Sequence, residues 1–565
     1  MKKIVASLTT FCILTVALIF HVPTAKGETK PLSTSNITKE QLTKVTIPAN
    51  VSSWMDAELN KAKRKTMLTK EQFFTRDSAK VVGYIKDYRP NLGFKTVNVD
   101  ATNVLTREGR PIISEIDSMG RFICTIPMNY PKKITISFDK KLMSLYLEPG
   151  QVLALSFDWN DCVKTDGFRA VKHPASLLLF RGPLAKLNYD LLSFELKDIG
   201  FTHYWIEKTP KPEQYLAVMD SILTMNDALV KQALKEGKIS KKVIEIQKNE
   251  SLIKNGFYLI DYAIAKNGEG VQVPANYYNM LQRLPLNDPS CAISGWYSGF
   301  INRLEENPVM QKSYRNIGSF KSISEVYLKF LNKKDSLLKS DFKLPSNFAY
   351  EVTKVRRLSA DIKNLGKNEA YAYYAKLSEG IKNPFLQQEG LRILKSNFGK
   401  AEIHNTDQGI STPHLLGKPL PKWIPLSLQK GKDADIFSKL IAPYKGKYLF
   451  VDFWGMLCAP CRWGIEEKKS TREKYKNNGV FEFVFITCPQ WTPDKNAYEK
   501  YAKEQGLEHS IIVSNDDFNY MQQLFRFTGV PHYLFIDPEG KILDVDFEMY
   551  IGFEEARKWI QANHI

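Results

Sequence analysis

The stretch VDFWGMLCAPCRWGI, Val451–Ile465, decides how this chain is read. It sets Cys458 and Cys461 two residues apart, just after an apolar run, YLFVDFW (448–454), that a single acid, Asp452, interrupts. A continuous apolar run of that length predicts a central strand covered on both faces. Two thiols at this spacing can be half of a zinc site, a structural bridge or a working redox centre. A structural zinc site needs four ligands, and the chain has neither a second CxxC nor an HxxxH. No metal and no other cofactor is expected.

Working outward, the charged segment after CAPC stops at NNG (477–479), and VFEFVFIT (480–487) reads as a second buried strand. TPDKNAYEKYAKEQG offers Thr492 as a helix N-cap, Pro493 in the first turn and Gly506 as the stop. SIIV (510–513) reads as a short strand and FNYMQQLFRF as a helix. TGVPHYLFIDPEGKIL reads as two strands around the turn DPEG, and FEEARKWIQA closes the chain as an amphipathic helix.

The order strand, CxxC, helix, strand, helix, hairpin, helix is that of a thioredoxin. On VDFW, CAPC and GVPHYLFIDPEG, residues 411–565 resemble the TlpA/ResA-like branch of the thioredoxin superfamily. Pro531 lies 70 positions after Cys461, which leaves room for the extra helix and strand of that branch. A lone CxxC is a moderate signal, but CxxC after this strand with GVP before a hairpin is a strong one.

The resemblance implies a redox-active Cys458–Cys461 disulfide. Cys458 would sit where a helix begins, beside unpaired N–H groups and the positive end of the macrodipole, both of which favour thiolate. Pro460 costs little in a first turn. Cys461, one turn on, would attack the mixed disulfide and release the reduced substrate. Pro531 would be cis and lie against the pair, presenting the Val530 backbone to an extended substrate segment, with Trp454 completing the substrate-binding set. Asp452 matches the buried acid that assists proton transfer to the second cysteine, which burial would suit to that role. The alternative is an edge carboxylate in solvent. Two positions depart from the pattern: Leu457 stands where tryptophan is usual, and Gly464 where the branch often has glutamate. Cys488 ends the second strand at the same sheet edge, as a third redox thiol or as core filler.

The rest of the chain frames this module. At 565 residues it is too long for one core. The expected fold is multidomain, with an N-terminal β-sandwich-like domain, an α-helical middle region and a C-terminal α/β thioredoxin fold. Lys2 and Lys3 precede the apolar run IVASLTTFCILTVALIF, and Ala25 and Gly27 are small residues at cleavage spacing, so 1–27 reads as a signal peptide. Retained, the same run would anchor the chain to a membrane. Residues 28–77 read as a polar lead-in. Residues 78–165 hold short runs such as RFICTI, with Phe122, Cys124 and Ile126 on one face, and suggest an antiparallel sandwich. Residues 166–403 turn helical, with Tyr215, Met219, Ile222, Leu223, Leu229, Val230 and Ala233 on one stripe ending at Gly237. A linker, 404–423, overlaps the start of the last domain and carries His404 and His414, neither at ligand spacing. This β-then-helical portion resembles the accessory region of large exported Gram-negative proteins that carry the module.

Cys12 lies in the apolar run, and the six cysteines beyond it are too few for a disulfide scaffold, so Cys124, Cys162 and Cys291 read as structural or unpaired. The net charge is +18, but its clusters, such as KAKRK (61–65) and KEGKISKK (235–242), lack interleaved aromatic residues. Nucleic acid is therefore not an expected partner. The reading is an exported thiol-disulfide oxidoreductase of the periplasm or envelope, reducing protein disulfides and fed by a membrane thiol donor. Oxidase and isomerase activity stay open, because Ala459-Pro460 between the cysteines does not fix the potential. The alternative is a ligand- or partner-binding envelope protein whose redox module is weakly active or vestigial.

Overall fold

The computed structural model describes residues 45–109, 111–139, 141–163, 178–199, 211–274, 276–314, 320, 322–362, 365–398, 423 and 425–563. The expected signal segment with Cys12, and both linker histidines, lie outside them. Strands β1 (Asp77–Lys86), β2 (Thr96–Asp100), β3 (Pro111–Glu115), β4 (Arg121–Met128), β5 (Lys132–Phe138), β6 (Lys141–Leu147), β7 (Val152–Asp158) and β8 (Leu178–Arg181) form two sheets. Their orders are β4-β1-β7-β8 and β3-β2-β5-β6.

Period-2 alternation turns Phe122, Cys124, Ile126 and Met128 of β4 inward. The inner faces meet where Phe122 packs edge-on against Phe138 of the other sheet, at 5.4 Å between ring centroids. The sandwich is not wholly antiparallel: β1 and β7 pair in parallel. The chain leaves the first sheet twice, through β2–β3 and through β5–β6, and each excursion reverses its direction. The sandwich also runs past residue 165, because β8 pairs with β7 and buries Leu178 and Phe180. Within the lead-in, helix α1 (Ala49–Asn60) lays Val51 and Met55 on Val82, Tyr84, Val152 and Ala154.

The middle region is helical. Helix α2 (Pro212–Glu236) buries Tyr215, Met219, Ile222, Leu223 and Ala233 of the expected stripe, while Leu229 and Val230 are only half-buried. Gly237 ends it at φ 65°, the left-handed conformation that suits glycine. Helix α3 (Lys241–Gly268) sends Val243 and Ile246 into the sandwich core and Phe257 and Tyr258 into the helical core. One element thus joins the two regions.

The C-terminal region is an α/β unit. It runs α4 (Lys432–Ile441), β9 (Tyr448–Phe453), α5 (Ala459–Glu467), α6 (Lys469–Lys474), β10 (Phe481–Thr487), α7 (Lys495–Gln505), β11 (His509–Ile512), α8 (Asn515–Phe525), β12 (His532–Ile536), β13 (Ile542–Asp544) and α9 (Met549–Asn563). The sheet order is β11-β10-β9-β12-β13, with β9, β10 and β11 parallel and β12 antiparallel to β9. All six residues of β9 are buried, as a central strand requires. Phe450 on one face meets Phe553 of α9 at 5.1 Å, and Phe453 on the other meets Phe518 of α8 at 5.8 Å. The cap of α7 is Asp494 rather than Thr492, with its carboxylate accepting from Ala497 N–H at 3.0 Å. The Thr492 hydroxyl is engaged instead by the Thr487 hydroxyl at 2.8 Å and by Met456 N–H at 3.2 Å.

This unit docks on the sandwich through α8. The Asp516 carboxylate accepts from the N–H groups of Lys95 and Thr96 at 2.7 and 3.1 Å. Asn98 donates to Asn519 at 3.0 Å, Ile113 N–H to Gln523 at 3.1 Å and the Tyr520 hydroxyl to Glu115 at 2.8 Å. Positions 516, 519, 520 and 523 form one polar helix stripe, which covers the otherwise open edge strand β3.

Candidate active site

Strand β9 carries the chain to the end of the parallel sheet, where Trp454 N–H closes the pairing on Ile486 O at 3.0 Å. A tight turn follows. A Cβ on Gly455 would lie 2.4 Å from Trp491 Cβ, so only glycine lets the turn pass. Leu457 N–H donates to Trp491 O at 3.0 Å and Cys458 N–H to Gly455 O at 3.0 Å. Cys458 is the N-cap of α5, in extended conformation, and its Sγ accepts from Cys461 N–H at 3.1 Å.

Cys458 and Cys461 are disulfide-bonded. Cys458 is 4% exposed and Cys461 is fully buried, so the outer sulfur is that of Cys458. In the reduced state the N–H that now meets the Cys458 sulfur would stabilise its thiolate, together with the helix dipole. The Val530–Pro531 peptide is cis, and the Val530 carbonyl oxygen lies 3.4 Å from Cys458 Sγ. The GVP segment is thus brought against the cysteine pair from 70 positions away in sequence. His532, next along, stacks on Phe527 at 4.2 Å.

Asp452 is buried in the middle of the sheet, not at a wet edge. Burial pushes its carboxyl up to about 8, with the Arg472 guanidinium pulling the other way. Its Oδ1 has no hydrogen-bond partner among the described residues. Arg472 was not anticipated from the sequence. It is buried and donates to Ile465 O at 2.8 Å and Gln505 O at 2.9 Å, spanning the end of α5 and the end of α7. Nothing in the charged run KSTREK marks one cation as internal.

Trp454 is a correction. It is fully buried between the turn and α7, with its ring 5.9 Å from Tyr498 and 5.8 Å from Tyr501, so it supports the site from beneath and cannot touch a substrate. An exposed indole nearby is that of Trp463, two residues after Cys461 and 46% exposed. Gly464, at the departure from the branch pattern, is buried against the core.

Cys488 is buried, and its thiol is pushed up to about 12 by burial. A thiol held that high stays protonated and makes a poor nucleophile, which fits core filler rather than a third redox thiol. Iodoacetamide at about pH 8 should leave Cys488 unmodified in the folded chain while alkylating Cys458 once the disulfide is reduced. Peptide mass spectrometry reads both sites, and labelling of Cys488 at a similar rate would restore it as a redox candidate. Cys124, Cys162 and Cys291 are buried, and burial raises all three thiols. Among the described residues no group of three or more His, Cys, Asp or Glu could hold a metal ion, and no helix is long and apolar enough to cross a membrane.

A family model described as thioredoxin-like matches residues 446–542. The chain is similar to thiol-disulfide oxidoreductase ResA of Bacillus subtilis, 27% identical over 127 residues, or 21% of this chain and 68% of that protein. For ResA of Geobacillus kaustophilus the figures are 26% over 105 residues, 19% and 57%, so the match spans little more than half of that relative. Among solved structures, the thioredoxin domain of a thiol-disulfide oxidoreductase from Bacteroides vulgatus aligns at 24% identity, covering 21% of this chain and 84% of that one, with a TM-score of 0.19. One from Bacteroides fragilis aligns at 21% identity, covering 20% and 83%, with a TM-score of 0.19.

Proposed function

Taking the C-terminal region as a thioredoxin-like domain, we propose that the chain is an exported thiol-disulfide oxidoreductase that reduces disulfides of envelope proteins. The observation that carries the chemistry is the Cys458–Cys461 disulfide at the start of α5, with Cys461 N–H on the Cys458 sulfur and Val530 beside it. In the reduced protein the Cys458 thiolate attacks a substrate disulfide, and one substrate sulfur leaves as thiolate. Cys461, deprotonated by Asp452, then attacks Cys458 Sγ, releases the second substrate thiolate and closes the internal disulfide. Two electrons pass to the substrate, and a dithiol donor returns them through the reverse exchange. The Lys2-Lys3 start, the apolar run and the small residues at 25 and 27 support export and an envelope location. In an oxidising compartment such a reductase needs an outside source of electrons, and the proposed source is a membrane thiol donor.

The test is the reduction potential of the pair in the full chain, set by glutathione or dithiothreitol buffers. The other four described cysteines are buried, which limits their exchange with the buffer. A value near about −270 mV supports the reductive direction, and one near about −120 mV would reverse it. A pair that cannot be cycled would leave a binding protein as the better reading.

A further inference from the structure

The polar stripe of α8 explains how the two domains dock, but the first residue of the helix, Asn515, does something else. The Asn515 side chain is buried and used at both ends. Its Nδ2 donates to Asp139 Oδ1 at 2.8 Å, and its Oδ1 accepts from Gln490 N–H at 3.0 Å. The amide has one possible orientation, because a carboxylate can only accept here and a backbone N–H can only donate. Asp139 belongs to the turn that joins β5 to β6, at φ 50°, a conformation aspartate tolerates. Gln490 belongs to the loop that follows β10.

That loop is keyed to the redox turn. Trp491 N–H and Thr492 N–H both donate to Cys488 O, at 3.0 and 2.9 Å, which folds the loop back on itself. Its outer side then receives Leu457 N–H on Trp491 O and Met456 N–H on the Thr492 hydroxyl, while Gly455 lies flush against Trp491. The Gly455 carbonyl in turn holds Cys458 N–H. A continuous path therefore runs from the accessory sandwich, through one asparagine and one loop, to the backbone of the attacking cysteine.

We infer that Asp139 is a positioning residue of the redox site: through Asn515 and Gln490 it fixes the loop that holds Cys458 over the N-terminus of α5. The inference deepens the proposed oxidoreductase function and rests on it. It gives the sandwich a part in the chemistry that is separate from client choice. With Asp139 removed, Asn515 loses the carboxylate that orients it and the Gln490 loop relaxes. Cys458 then drifts from the Cys461 N–H that stabilises its thiolate.

The test uses the reduced full chain and two readouts: the rate of Cys458 alkylation by iodoacetamide across pH, and the rate of reduction of a disulfide-bonded peptide. Asp139→Ala should slow both at neutral pH by about tenfold, equal to a rise of about one unit in the thiol pKa. Asp139→Asn keeps an oxygen acceptor for Asn515 and should restore most of the rate. Alkylation reads the thiolate whether or not the chain reduces a peptide, so failure of the activity and failure of the inference are separable. Unchanged alkylation in Asp139→Ala, with or without a fall in melting temperature, would overturn the inference. So would Asp139→Asn losing as much as Asp139→Ala, since the hydrogen bond would then not be the agent.

Discussion

Replacing Cys461 with alanine should turn the chain into a trap that accumulates a covalent mixed disulfide between Cys458 and its substrate. The asymmetry of the pair requires it. Cys458 caps α5, takes Cys461 N–H on its sulfur and is the less deeply buried of the two, at 4% exposure. Cys461 is fully buried one turn further along and can reach only Cys458. Without it the first exchange still proceeds, but nothing attacks the mixed disulfide from inside, and release waits on external thiol. Replacing Cys458 should instead abolish both the adduct and the turnover, a loss of at least about a thousandfold, as expected when a nucleophile is removed. Non-reducing electrophoresis with mass spectrometry of the linked peptide separates the two variants. An adduct on Cys461 in the Cys458→Ala protein would invert the assigned roles.

The redox module was legible because its signals are local. An apolar run with one acid gives a strand buried on both faces, CAPC at its end gives the helix start, and GVP marks the segment that returns to it. The accessory sandwich was legible as strands from alternation such as that of Phe122, Cys124 and Ile126. Its pairing was less so, since the parallel match of β1 with β7 depends on how often the chain changes sheet. What stayed hidden are polar contacts between residues far apart in sequence. Asp139 and Asn515 lie 376 positions apart, and alone each reads as a turn residue and a helix-start residue. The Trp454 assignment failed for a related reason. A tryptophan after a strand reads equally well as surface or core, and only Tyr498 and Tyr501 of α7 decide for core. Thr492 had the right chemistry for a cap, but it is held two residues too early by the Thr487 hydroxyl and by Met456 N–H.

Asp452→Asn should uncouple stability from activity. Burial raises the folded-state pKa of Asp452 from 3.8 to about 8. Between those values the folded chain holds a proton that the unfolded chain releases. The stability this contributes is therefore fully present below about pH 3.8 and is lost as the pH rises through about 8. Asparagine carries no such proton. The variant should match the parent in stability near the lower value and exceed it at neutral pH, by on the order of 4 kcal/mol. Denaturant unfolding of the C-terminal unit at several pH values measures this directly. Activity should move the other way. Cys461 must lose its proton before it attacks Cys458, and Asp452 is the buried group proposed to take it. Losing a positioned general base costs about a hundredfold. The pH–rate profile of the second exchange should also lose its inflection near 8. A variant that is more stable and equally fast would make Asp452 a buried acid without a part in the chemistry. A variant slower at every pH, yet with the inflection intact, would move the proton acceptor to another group.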